Sequence, residues 1–297
     1  MIFLLSNTFL IKNIQMKAIQ LYNQLEKDFI TPSLSDDWAQ DMSEIEEYVC
    51  DNFKKRSMGL VCDFADEITK IYSAVFSTEE VMQKIIDNDT RNAMLFVHHP
   101  SIWDVQRDPV FYQMSSNMLD QFKERKISIY NLHVPLDNFS EYSTSKTLAD
   151  ALGIKVEKQF GKYFGALCGV IGKTDCNTVE ELQNKFSKAV GHDTKLYKYG
   201  SDEILNGKVA VVAGGGNDMD IVSELSEYNV KVLIIGITIK NDFSKSTHEY
   251  EEKHGINILG GTHYSTEKFA CQAMCGYFKN LGLPSEFIEG VPGMEDM

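Results

Sequence analysis

Basic residues are scarce in this chain of 297 residues: 29 lysines and arginines stand against 43 aspartates and glutamates, a formal net charge of −14. That deficit argues against sequence-independent nucleic-acid binding, in which Lys and Arg must neutralise phosphates. It suits a chain that stays dispersed and attracts cations. Cysteine is sparse too. Residues 50, 62, 168, 176, 271 and 275 contain no Cys-x-x-Cys pair, so they offer neither a disulfide framework nor a cysteine zinc site, and read as buried thiols in a reducing cytosol. Long apolar runs are missing as well. Residues 1–15, MIFLLSNTFLIKNIQ, are too short to span a bilayer and have no basic lead-in, Lys12 falling after the apolar run, so they make a poor signal peptide. They read as an extension ahead of an amphipathic helix opening at Met16. The expectation is a cytoplasmic protein with no membrane segment.

What is present is an ordinary globular composition, 43% apolar, enough for one large or two medium domains. Ala18, Leu21, Tyr22, Leu25 and Phe29 repeat at helical spacing up to Thr31-Pro32. The acidic segment around Trp38 suggests a helical face. Residues 68–76 alternate like a strand, and Ser77 with Glu80 predicts a capped helix near 78–88. Ala93 to Val97 is an apolar run of the kind buried on both faces of a sheet. Asp108-Pro109 predicts the N-terminus of a helix over 110–126, followed by the strand ISIYNLH. Gly153 stops a helix over 144–152, Thr178 and Glu181 cap one through Val190, and LYKYG, KVAVVAG, VKVLIIG and INILGG supply further strands. A helix near 243–253 and a last one from His263 complete the pattern. Alternating strands and helices predict an α/β fold with two layered lobes.

Three predicted strands end in metal-competent side chains. Val97 precedes His98-His99, Leu132 precedes His133, and Gly261-Thr262 precedes His263. Open α/β sheets bind ligands beyond the carboxyl ends of their strands. Neighbouring side chains on a strand point to opposite faces, so His98 and His99 reach one site only if the strand has ended, as Pro100 suggests. By themselves they fit a surface pair equally well. His133 with Asp137, and His263 with Glu267, share the i, i+4 spacing of one helix face. Four imidazoles and two carboxylates at strand ends suit zinc, manganese or iron(II).

The motifs Val97-His98-His99-Pro100, His133-x-x-x-Asp137 and Gly261-Thr262-His263-Tyr264-Ser265-Thr266-Glu267, in this order, resemble those of the NGG-interacting-factor-three family of dinuclear metal proteins. Its members are often labelled type-two GTP cyclohydrolase I. Weaker matches are Asp36-Asp37-Trp38, the run from Lys208 to Gly216, and Phe287-Ile288-Glu289. The resemblance runs from about Met16 to the C-terminus. It implies two divalent ions held by His98, His99, Asp137, His263 and Glu267 with shared carboxylates, and His133 as the neighbouring catalytic histidine or proton shuttle. It also implies a metal cleft between the lobes and a homo-hexameric ring. The first lobe would be discontinuous, residues 16–137 plus 255–297, with 138–254 as the second. The chain departs from the family after Gly236, where Ile237 and Thr238 replace an acidic residue, and after Asp137, where Asn138-Phe139-Ser140 replaces a glycine pair. Both changes fall where the resemblance places the lining of the cleft. The large domain inserted in some relatives has no room here.

Other features carry less. Gly214-Gly215-Gly216 could cradle phosphate, but Asp218 and Asp220 in the following turn would repel it, and a tight strand-to-helix turn is the better reading. Cys271 and Cys275 read as core, His192, His248 and His254 as solvated, and Trp103-Asp104 equally as cleft mouth or loop anchor. Two functions stay open. One is a metal-dependent hydrolase of a nucleotide-like or phosphorylated small molecule, by resemblance a GTP cyclohydrolase. The other is a non-catalytic metal scaffold, carrier or protein-interaction ring.

Overall fold

The structure is a computed structural model and describes residues 15–297. The N-terminal extension expected over 1–15 lies outside them but for Gln15. The fold is α/β, built on two main sheets. In chain order the first contributes β1 (Gly59–Cys62), β2 (Lys70–Phe76), β3 (Ala93–His99) and β4 (Ile127–Asn131). The second holds β5 (Lys155–Tyr163), β6 (Ala166–Lys173), β7 (Lys195–Tyr197), β8 (Lys208–Val212), β9 (Val232–Ile235) and β10 (Asn257–Gly260). The chain then returns to the first sheet as β11 (Ser285–Phe287). The orders are β11-β2-β3-β4-β1 and β7-β10-β9-β8-β6-β5. Pairing is parallel through β11, β2, β3 and β4, and through β8, β9 and β10.

Period-two alternation explains why the central strands are continuous apolar runs. Ala93, Leu95 and Val97 of β3 enter one core with Tyr72, Phe122 and Ile129, while Met94 and Phe96 enter another with Leu21, Leu25 and Phe278. The same division holds in the second sheet: Val209 and Val211 face one core, Ala210 and Val212 the other. A parallel sheet covered on both faces needs this pattern. The helix Ala18–Phe29 buries the five apolar positions read from its spacing, and Thr178 with Glu181 forms the expected capping box on Val179–Val190.

Several expectations fail, each for a local reason. The helix predicted from Asp108-Pro109 begins only at Ser116. Phe111–Tyr112 instead pairs with Ile102–Trp103 as a small antiparallel ribbon, and the Asp108-Pro109 peptide is cis. The N-cap at 79–87 is Thr78, which accepts from the Val81 amide, whereas Ser77 is buried. Around Trp38 the turns are of the tighter 3₁₀ kind, Trp38–Asp41 and Ser43–Tyr48. The strand Asn257–Gly260, expected in the first unit, lies in the six-stranded sheet between Lys195–Tyr197 and Val232–Ile235. Its alternating Ile258 and Leu259 fill the two cores of that sheet. His248 is not solvated: it is 4% exposed, its Nε2 bonded to the Thr238 carbonyl at 3.0 Å.

Candidate metal centre

β3 does not stop at Val97 but runs through His99, which pairs with Phe76 of β2. Its other neighbour has ended by then: the last β4 partner is Asn131, opposite Val97. Beyond that point β4 turns into Leu132 and His133, and the short helix Val134–Asp137 follows. From the second sheet, β10 leads through Gly261 into the helix His263–Asn280, whose N-cap Thr262 forms a capping box with Ser265. The two sheet ends thus bring His98, His99, His133, Asp137, His263 and Glu267 to one place. All six are buried.

Glu267 sits at the centre. Its Oε1 lies 3.5 Å from His98 Nε2 and 3.2 Å from His263 Nε2, and its Oε2 lies 2.9 Å from His99 Nε2. Asp137 presents Oδ1 to His98 Nε2 at 3.5 Å and Oδ2 to His133 Nε2 at 3.7 Å. With metal–ligand distances of about 2.0–2.2 Å, tetrahedral ligand atoms stand roughly 3.4 Å apart, so most of these separations match the edges of a coordination shell. Among the described residues, two groups have ligand atoms all within 4.8 Å of one another: His98, His99 and His133, and His99, His263 and Glu267.

The ring orientations serve the same end. His98 Nδ1 is 2.9 Å from the Leu132 carbonyl, and His133 Nδ1 is 3.0 Å from Asp36 Oδ2. Each contact occupies one nitrogen and turns the other toward the cluster, the usual way a protein fixes a ligating imidazole. The inward nitrogen of His98 is buried with no hydrogen-bond partner, as are Nδ1 of His99 and Nδ1 of His263. An orphaned buried nitrogen costs on the order of 1–3 kcal/mol. A divalent cation beside His98 Nε2 and the carboxylates of Glu267 and Asp137 would take up the inward lone pair of His98, so the donor set fits such an ion.

Without metal, protons play part of that role. Burial disfavours a charged His98, but Glu267 and Asp137 outweigh it and push the ring up to about 9. Burial holds His99 well below its usual value. Burial would raise Glu267, yet His263, His99 and His98 together hold it well below the ordinary carboxylate range. Asp137 is raised, chiefly by burial. For His133 burial is outweighed by Asp36, and the ring is raised.

Aromatic rings wall the cluster. Phe76 stacks on His99 with centroids 4.7 Å apart, Trp38 meets His99 and His133 edge-on, and Trp103 meets His263 edge-on at 4.8 Å. Trp103 therefore faces the site, and Asp104 beside it accepts from the Gln106 amide within its own turn. Gly214 lies against the site as well: a Cβ there would stand 2.2 Å from Glu267 Oε1, and its φ is +75°. The triple glycine is a tight turn that lets the backbone approach Glu267. Cys271 and Cys275 are buried in helical packing, their thiols directed at the Ala74 and Cys271 carbonyls.

The model of the family Duf34/NIF3 (NGG1p interacting factor 3) matches residues 46–290. The chain belongs to the DUF34/NIF3 family. Among its curated relatives, a GTP cyclohydrolase 1 type 2 homolog of Borreliella burgdorferi is 29% identical over 216 residues, covering 72% of this chain and 79% of the relative. One of the same name from Pyrococcus horikoshii is 26% identical over 246 residues, 81% and 92% of the two chains. Two solved structures share the DUF34/NIF3 fold. Protein ybgI, described as of unknown function, superposes with a TM-score of 0.73 at 20% identity, covering 94% of this chain and all (100%) of that one. Reduced HcgD from Methanocaldococcus jannaschii gives 0.66 at 22%, covering 93% and 99%.

Sequence reasoning missed Asp36 as the partner of His133; its only signal was the short Asp36-Asp37-Trp38 match. It also missed Asp296, whose carboxylate accepts from the His263 amide at 2.8 Å, and nothing in the pattern pointed to it.

Proposed function

We propose that this protein is a metal-dependent hydrolase in which His98, His99, Asp137, His263 and Glu267 would hold two divalent ions, zinc, manganese or iron. The observation that carries the reading is the placement of Glu267, its two oxygens turned to different imidazoles. Bound divalent ions supply Lewis-acid polarisation and a water of lowered pKa.

The chain's own groups do the rest. His133, its Nδ1 tethered to Asp36, presents Nε2 beside Asp137 and can take up or deliver a proton there. Trp38, Phe76 and Trp103 keep bulk water from the imidazoles, which strengthens every charge interaction inside. The substrate class, a nucleotide-like or phosphorylated small molecule, follows the name its relatives carry. Two lobes meeting at the site and a hexameric ring belong to the same reading and rest on resemblance; a cytoplasmic location rests on the scattered thiols and the poor signal peptide of the sequence. Among the described residues no helix is long and apolar enough to cross a membrane.

One observation favours the second reading, a metal carrier or scaffold without turnover: every proposed ligand is buried, and closed shells are typical of structural sites. His133→Ala separates the two. A variant that keeps its metal but loses hydrolysis of a nucleotide panel supports the enzyme. A wild type loaded with zinc, manganese or iron that turns over none of the panel supports the scaffold.

A further inference from the structure

The first turn of the helix His263–Asn280 leaves amide donors that the helix itself cannot satisfy. Thr262 takes the Ser265 amide. The His263 amide is taken from elsewhere, by Asp296 Oδ2 at 2.8 Å. The other oxygen of the same carboxylate, Oδ1, accepts from the Trp103 indole at 2.8 Å. The Asp296 carbonyl accepts from the amides of Thr238 and Ile239 at 2.7 and 2.9 Å, just beyond the end of β9. No acid follows Gly236 at that sheet end, and the carboxylate there arrives from the C-terminal segment. Asp296 is 1% exposed. Behind it lies a cavity of about 80 Å³ bounded by Phe76, Thr78, Trp103, Tyr264 and Val291.

Building on the metal reading, we infer that Asp296 is a positioning residue: its two carboxylate oxygens clamp the His263 amide and the Trp103 indole, fixing the ligand's backbone and the ring over it as one unit. A carboxylate suits this place for two reasons. Negative charge at a helix N-terminus is favourable. Both donors are N–H groups and they approach different oxygens of the side chain, so both of its ends must accept. Asparagine has the same shape but a single acceptor, so it must turn its own NH₂ toward one of the two donors.

That asymmetry makes the test. Trp38 and Trp103 are the two tryptophans, so in a Trp38→Phe background fluorescence reports Trp103 alone. In metal-free protein, Asp296→Asn and Asp296→Ala are both expected to raise acrylamide quenching of Trp103 severalfold. Each should also weaken Co²⁺ binding by roughly 10–100-fold and alter the visible band of the Co²⁺-loaded protein. In a Trp103→Phe background, where the indole donor is gone, Asp296→Asn can turn its oxygen to the His263 amide. Co²⁺ affinity there should return to within about twofold of the Trp103→Phe parent, an estimate for one conserved acceptor. A space-filling role would instead let asparagine substitute freely; an Asn variant that matches wild type in quenching and in Co²⁺ affinity overturns the inference. Failure of the parent to bind Co²⁺ would sink the metal reading alone, because the quenching needs no metal.

Discussion

His98, at the end of the five-stranded sheet, and Glu267, one turn into the helix that follows the six-stranded one, face each other at 3.5 Å with no hydrogen bond between them. The separation suits two ligands of one ion better than a hydrogen-bonded pair, which would close to about 2.9 Å. Each side chain depends on backbone far from it in sequence.

Gly214 is the clearest dependence. A Cβ there would fall 2.2 Å from Glu267 Oε1, and the backbone sits at φ +75°. Gly214→Ala is therefore expected to cost about 1–3 kcal/mol for the strained conformation and to displace the carboxylate. Gly215→Ala is the control: the nearest atom to its Cβ is Ile237 Cδ1 at 3.4 Å, and its φ is ordinary. Urea melts and metal content of both variants check the contrast; equal behaviour would show that close approach to Glu267 is unimportant.

Asp36 holds His133 by Nδ1 at 3.0 Å. Asp36→Asn keeps the shape but weakens the acceptor that orients His133, so hydrolysis should slow by about tenfold or more while the metal stays bound. Turnover of the nucleotide panel and metal content check the split. Unchanged turnover would mean that His133 moves no proton from this tethered position.

How much of this was legible in the sequence follows from where the signals lie. His98, His99, His133 and His263 stood out because each ends an apolar run, and apolar runs are what a doubly covered sheet requires. Asp137 and Glu267 followed from helical spacing. Asp36 sits in a polar segment without periodicity, and Asp296 reaches the site only through tertiary structure, so no local pattern marks either. The Asp108-Pro109 pair has the chemistry of a helix start, but the neighbouring Phe111 is drawn under Trp38 and Trp103, centroids 4.7 and 4.8 Å apart. Packing there overrides a local preference. His248 misled for the opposite reason: its helix, Lys245–His254, is largely polar, yet it buries Thr247, His248 and Glu251.

Glu251 supplies a pH dependence. It is wholly buried, neither oxygen has a hydrogen-bond partner, and burial pushes its carboxyl up to about 8, against a smaller pull from Lys240. His248 Nδ1 stands 3.6 Å away and also faces the Tyr199 hydroxyl. Because the folded protein keeps this proton longer than the unfolded chain does, the contribution of Glu251 to stability falls as pH rises from about 4.5 to about 8. Each pKa unit corresponds to about 1.4 kcal/mol. Glu251→Gln removes the ionisation and should raise stability at pH 8 relative to wild type, with little change at pH 5. Denaturant melts at the two pH values decide it; a wild type and variant that track each other would contradict the burial argument.

Metal uptake should also respond to pH. With His98 pushed up to about 9 by Glu267 and Asp137 against the effect of burial, the metal-free cluster carries a proton at pH 7 that a cation must displace. Apparent affinity is expected to climb with pH up to about 9, close to tenfold per unit for one displaced proton. Calorimetry in buffers of different ionisation enthalpy counts the protons released, and a count of zero would refute the assignment of His98.

The most direct measurement is metal content per chain, by mass spectrometry of protein purified without added metal, for wild type and for His98→Ala/His99→Ala. The account expects about two equivalents in the wild type and their loss in the variant. A wild type that is empty and takes up no zinc, manganese or iron when offered would contradict it.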